Sequence, residues 1–129
     1  VLVLAAAAAF EGRAWLLFGG PTSDSVLYPE LWEQAAANKP GQFELTLAIS
    51  REQTTSTGGK MYVQERLTER ADELFERLAG GAHLYLCGLK GMQPGIEAAL
   101  EAAAVARGLD FKTWLKALRK EKRYHVEVY

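Results

Sequence analysis

The chain has 129 residues, 49% hydrophobic and 24% charged, which suits one globular domain with a real core. Fifteen Lys and Arg against sixteen Asp and Glu leave a net charge of −1, which argues against a strongly basic nucleic-acid module. A single cysteine excludes an intrachain disulfide framework and a cysteine-based zinc cluster. Two histidines far apart in sequence, His83 and His125, argue against a histidine metal site, and no apolar run reaches the ~20 residues that span a membrane.

Val1–Leu4 reads as a buried strand followed by the alanine tract Ala5–Ala9. The apolar start lacks the basic flank of a signal peptide. Ala14–Phe18, a continuous apolar run before Gly19-Gly20-Pro21, reads as a strand buried on both faces. Leu31, Trp32 and Ala35 have helical spacing, and Asn38-Lys39-Pro40-Gly41 ends that helix. Phe43–Ile49 is a strand and Thr54–Gly59 a polar loop. Val63, Leu67, Ala71, Leu74, Phe75 and Leu78 predict one long helix, closed by Gly80-Gly81. His83–Cys87 is a further strand, and Gly88–Gly91 a turn.

Ile96, Leu100 and Ala104 line the next helix, with Pro94 in its first turn and Gly108 past its end. Asp110 caps a last helix with core face Phe111, Trp114, Leu115 and Leu118, and Tyr124–Val128 closes as a strand. Alternating strands and helices predict an α/β fold, a parallel sheet with helices on both faces and ligands at the carboxyl ends of the strands. One junction is too short. Only Ala6–Arg13 separates the first two strands, where a parallel crossover needs about a dozen residues; either they are not linked by a normal crossover or a segment is missing there, and the alanine tract favours the second.

Three segments follow strand ends. Ser50, Arg51, Lys60 and Tyr62 combine a hydroxyl, a guanidinium, an ammonium and a phenol, a set that can converge on a dianionic phosphate and a flat base; the alternative is a solvated loop. Cys87-Gly88-Leu89-Lys90-Gly91-Met92 offers a cysteine at a strand end with a glycine that admits a ligand close to the backbone. The thiol is equally a small buried hydrophobe, and His83, roughly 13 Å along the strand, is too far to be its base. The hydroxyls of Thr22, Ser23 and Ser25 can hold a phosphate or a ribose, although capping is their more ordinary role. The basic cluster Lys116, Arg119, Lys120, Lys122 and Arg123 is either a solvated helix face or a surface for an acidic partner.

Taken together, Ser50-Arg51-Glu52-Gln53, Lys60-Met61-Tyr62-Val63-Gln64, Cys87–Met92 and the terminal Val126-Glu127-Val128-Tyr129 resemble plant-type ferredoxin–NADP reductase, over about Gly12–Tyr129. The resemblance implies a Rossmann-like NADP-binding domain, residues 1–129 being the C-terminal part of a two-domain flavoenzyme. It implies that Ser50, Arg51, Lys60 and Tyr62 bind the 2′-phosphate and adenosine of NADP. Gln64 and Leu89 would line the adenosine and ribose, with Gly88 in the same cofactor site. It places Cys87 near the nicotinamide, makes Glu127 the active-site carboxylate, and has Tyr129 stack on the flavin until the nicotinamide displaces it.

The activity it implies is photosynthetic electron transport: electrons pass from reduced ferredoxin through FAD and reach NADP+ as a hydride. The implied setting is the chloroplast stroma, at the thylakoid membrane or a photosystem assembly, with the cytoplasm of a cyanobacterium as the alternative. No nucleic acid, metal or transmembrane segment is implied. The family's FAD domain and its glycine-rich pyrophosphate loop have no counterpart in these residues, so a partial chain, inactive alone, is expected. Two alternatives remain: a non-catalytic α/β nucleotide- or partner-binding module, and the NADP domain of a diflavin reductase, whose cysteine motif usually lacks the Leu-Lys-Gly-Met continuation.

Overall fold

A computed structural model describes residues 12–129; the expected strand Val1–Leu4 and the alanine tract lie outside the described residues. The described chain forms two compact units, one up to Arg66 and the other Leu67–Tyr129. Each holds a pair of parallel strands joined through helix, so the class is α/β and Rossmann-like, as the alternation of patterns predicts.

In the first unit, β1 (Ala14–Gly20) pairs with β2 (Phe43–Ile49) in continuous parallel register from Ala14↔Phe43 to Gly20↔Ile49. The crossover contains α1 (Pro29–Asn38), which carries Leu31, Trp32 and Ala35 as their spacing predicts; it starts at Pro29, which suits the first helical position, after Tyr28 at φ +54°. Trp32 is buried, its ring stacks on Phe43 at 5.9 Å, and its indole N–H donates to the Leu27 carbonyl at 2.7 Å. The expectation that β1 is buried on both faces does not hold. Among Ala14–Phe18 only Leu16 is fully buried; Trp15 keeps a polar partner, its Nε1 donating to Thr46 Oγ1 at 2.8 Å. Gly19 permits close packing, since a Cβ there would stand 2.5 Å from Val63 Cγ2.

The long helix expected over Val63–Leu78 is two helices, α2 (Val63–Glu69) and α3 (Ala71–Ala79), broken at Arg70, whose ψ of 27° leaves the helical well. The apolar stripe runs through the break and hides it. The break has a local cause: Asp72 and Glu73 favour a new helix N-terminus, and the Arg70 guanidinium pairs with Glu73. That guanidinium, helped by Arg77, holds the Glu73 carboxyl below its ordinary range despite an opposing effect of burial.

In the second unit, β3 (Leu84–Gly88) pairs with β4 (Tyr124–Val128) from Leu84↔Tyr124 to Gly88↔Val128; β3 lies one residue further along than His83–Cys87. Between them run α4 (Gln93–Ala106) and α5 (Phe111–Lys120). Asp110 caps α5 as expected, accepting from the Thr113 N–H. The α5 core residues Leu115 and Leu118 are buried with Tyr124, and Trp114 stacks on Phe75 at 4.8 Å. No helix among the described residues is long and apolar enough to cross a membrane.

Candidate functional site

The first unit assembles Ser50, Arg51, Lys60 and Tyr62 at the carboxyl ends of its two parallel strands. Ser50 N–H donates to Gly20 O and Arg51 N–H to Pro21 O, both at 2.9 Å, so the segment leaving β2 is laced to the segment leaving β1. Ile49 O accepts the amides of Glu52 and Gln53 and closes a tight turn. Gln53 Oε1 then accepts from Ile49 N–H at 2.9 Å and from Arg66 Nη2 at 3.2 Å, while Arg66 Nε donates to Leu47 O at 3.0 Å. The loop returns on itself through a bridge between Thr54 and Lys60 and a bond from Met61 N–H to Gln53 O. Gly58, at φ +85°, supplies the reversal at its tip.

Three residues of this loop act as one group. Met61 is 2% exposed and anchors it; Lys60 before it is exposed and Tyr62 after it is 45% exposed. Among the described residues neither Arg51 nor Lys60 forms an ion pair or a hydrogen bond through its side chain. Two uncommitted cations, the half-buried Ser50 hydroxyl and an accessible phenol therefore share one short loop. That donor set fits a dianion attached to a flat ring. Gln64 is the second residue of α2, in the same unit and half-buried.

The second unit gathers the other expected residues. Register sets Cys87 beside Glu127 on neighbouring strands, about 4.8 Å apart and on one face. Cys87 is a half-buried free thiol and Glu127 is exposed. Gly88 has φ +148°, a backbone that L side chains rarely adopt. The turn it begins holds the chain end: Tyr129 N–H donates to Gly88 O at 3.1 Å and Lys90 N–H to Tyr129 O at 3.0 Å. Leu89 and Tyr129 are 70% and 79% exposed.

The segment Thr22–Ser25 takes the capping role. It forms a 3₁₀ turn in which Ser25 Oγ accepts from Thr22 N–H at 3.4 Å and faces the Thr22 hydroxyl at 3.3 Å. Arg123 leaves the basic cluster expected at the end of α5. Its Nη1 donates to Leu78 O at 2.7 Å and Ala82 O at 2.9 Å, and it pairs with Glu121. A cleft of about 450 Å³ lined by Phe75, Trp114, Leu109 and Arg107 contains none of the expected site residues.

The two histidines, distant in sequence, meet in the second unit. The His83 Nδ1 and His125 Nε2 atoms are 3.4 Å apart, and the ring centroids are 5.7 Å apart with planes 3° from parallel. The Tyr85 ring stacks on His125 at 4.5 Å. The signal was the alternation of each strand, which puts positions 83, 85 and 87 on one face; only the register with β4 brings His125 to it.

Comparison with known proteins agrees with this architecture. The family described as oxidoreductase NAD-binding domain matches residues 1–98. The chain belongs to that family. It is 51% identical over 121 residues to a ferredoxin–NADP reductase of a Picosynechococcus strain, covering 93% of this chain and 30% of the relative. It is 48% identical over 120 residues to a chloroplastic ferredoxin–NADP reductase of Chlamydomonas reinhardtii, covering 93% and 34%. A chloroplastic root isozyme of Arabidopsis thaliana is also 48% identical over 120 residues, covering 93% and 32%. The chain thus spans about a third of the length of these curated relatives.

Proposed function

We propose that this chain is the NADP-binding part of a ferredoxin–NADP reductase of a chloroplast or a cyanobacterium. The observation that carries the reading is the pair of uncommitted cations, Arg51 and Lys60, beside Ser50 and the accessible Tyr62 ring at the carboxyl ends of parallel strands. Arg51 and Lys60 hold the 2′-phosphate, the Ser50 hydroxyl donates to it, Tyr62 covers the adenine face, and Gln64 lines the adenosine. A bound NADP+ accepts a hydride, and a bound FAD supplies the step from single electrons to that hydride. The exposed Tyr129 ring would offer a flat face for a flavin to stack on, a place a nicotinamide could take in turn. Cys87 and Gly88 would face the nicotinamide, the glycine leaving the backbone open to it, and Glu127 offers a carboxylate next to the thiol. The exposed basic face of α5, with Lys116, Arg119 and Lys120, receives the acidic partner, ferredoxin.

The test is activity by complementation. The chain alone is expected to reduce no dye with NADPH, and the chain joined to the flavin domain of a ferredoxin–NADP reductase is expected to do so. NADPH-dependent dye reduction by the isolated chain, or a flavin-loaded fusion that ignores NADPH, sinks the reading.

A further inference from the structure

Glu52 is an anomaly in a phosphate site. It follows Arg51 directly, it is exposed, and its charge opposes a dianion. The structure shows where that carboxylate goes. Glu52 Oε1 accepts two hydrogen bonds from Ser23, one from the backbone N–H and one from the hydroxyl, each at 3.0 Å. Ser23 opens the 3₁₀ turn after β1, whereas Glu52 lies in the turn after β2. The contact therefore ties together the two loops at the carboxyl end of this strand pair, beside the bonds Ser50 N–H to Gly20 O and Arg51 N–H to Pro21 O.

We propose that Ser23 and Glu52 form a latch that positions Arg51 and keeps its charge available, so that Ser23 sets the preference of this site for a phosphorylated over an unphosphorylated ribose. The proposal rests on the NADP reading above. Two effects act together. The latch removes the remaining freedom of a turn whose backbone is already closed on Ile49 O. It also withholds the only carboxylate adjacent in sequence to Arg51. Released, Glu52 is free to pair with that guanidinium and neutralise it. Glu52 and Ser23 act through Arg51 and are positioning residues.

The test titrates 2′-phospho-AMP and 5′-AMP into the chain and its variants by calorimetry. Ser23→Ala, which keeps the carboxylate and loses a latch bond, is expected to weaken 2′-phospho-AMP by about 3- to 10-fold, the worth of one hydrogen bond. It should leave 5′-AMP unchanged. Glu52→Asp, too short to reach Ser23, should show the same loss. Glu52→Gln keeps the acceptor without the charge and should bind 2′-phospho-AMP at least as tightly as the parent. The double variant Ser23→Ala/Glu52→Gln should recover most of the loss, because a free amide cannot neutralise Arg51. Unchanged binding in both Ser23→Ala and Glu52→Asp overturns the latch, as does an equal loss for both nucleotides or a double variant no better than Ser23→Ala. If the parent chain has no preference for the 2′-phosphate, the NADP reading falls and the latch with it; a parent preference that ignores these substitutions sinks the latch alone.

Discussion

Replacing Gly88 with alanine tests the geometry that holds Tyr129. The residue has φ +148°, in a region populated almost only by glycine, where a side chain costs about 1–3 kcal/mol. The added Cβ would also stand 2.8 Å from Met92 Sδ and 3.0 Å from its Cε. That overlap involves the far end of a flexible side chain, which can rotate away, so the backbone conformation dominates the cost. Denaturant unfolding of Gly88→Ala should therefore show a loss of about 1–3 kcal/mol. Gly91 is the control: it lies in the same turn, has nothing within 4 Å of where a Cβ would stand and no left-handed φ, so Gly91→Ala should change stability by no more than about 1 kcal/mol. Amide exchange adds a local readout, because Tyr129 N–H bonds Gly88 O and Lys90 N–H bonds Tyr129 O, and both should lose protection in Gly88→Ala. Equal stability of Gly88→Ala and Gly91→Ala, with both amides still protected, would refute the argument that this backbone requires glycine.

The remaining predictions concern packing and ionisation. Trp32→Ala should cost about 3–5 kcal/mol in denaturant unfolding, since it removes a buried indole stacked on Phe43; a loss under 1 kcal/mol would mean that α1 does not depend on it. Tyr124 is pushed up to about 12, first by burial and then by the hydrogen bond its phenol donates to Glu97 Oε1 at 3.0 Å, with Arg119 opposing. Its folded value exceeds the unfolded 10.0, so its contribution is intact below pH 10 and is lost as pH rises toward 12. Ultraviolet titration should show one phenol ionising late and Tyr124→Phe should flatten the alkaline loss of stability; a Tyr124→Phe profile identical to the parent's contradicts this. Arg123→Ala should destabilise by about 1–3 kcal/mol, because it strips the carbonyls of Leu78 and Ala82 of a charged donor, whereas Lys122→Ala at the exposed neighbour should be neutral within about 0.5 kcal/mol.

Much of this was legible in the residues because local physics decides it. Phe43–Ile49 has a strand's composition and becomes β2 with those bounds, and Asp110 caps α5 through Thr113 as its position implies. The break at Arg70 has no signal in the apolar pattern, because hydrophobic periodicity reports a buried face and says nothing about a ψ angle between two helical turns. The cations of the first unit are visible by type and spacing, but the bridge between Thr54 and Lys60 is a loop geometry without a composition signal. The pairing of His83 with His125 and of Ser23 with Glu52 depends on which strands lie side by side, so neither follows from distance along the chain. Arg123 looked like part of a solvated basic face because its charge is visible in sequence and the carbonyls it satisfies are not.

Calorimetric titration of the chain and of Arg51→Ala with 2′-phospho-AMP and 5′-AMP tests the central claim most directly. The parent should prefer the 2′-phosphate. Removal of one charged donor should weaken it by about 10- to 100-fold and leave 5′-AMP unaffected. A folded parent that binds the two nucleotides equally, or an Arg51→Ala variant that keeps the preference, would contradict the assignment of this loop as the 2′-phosphate site.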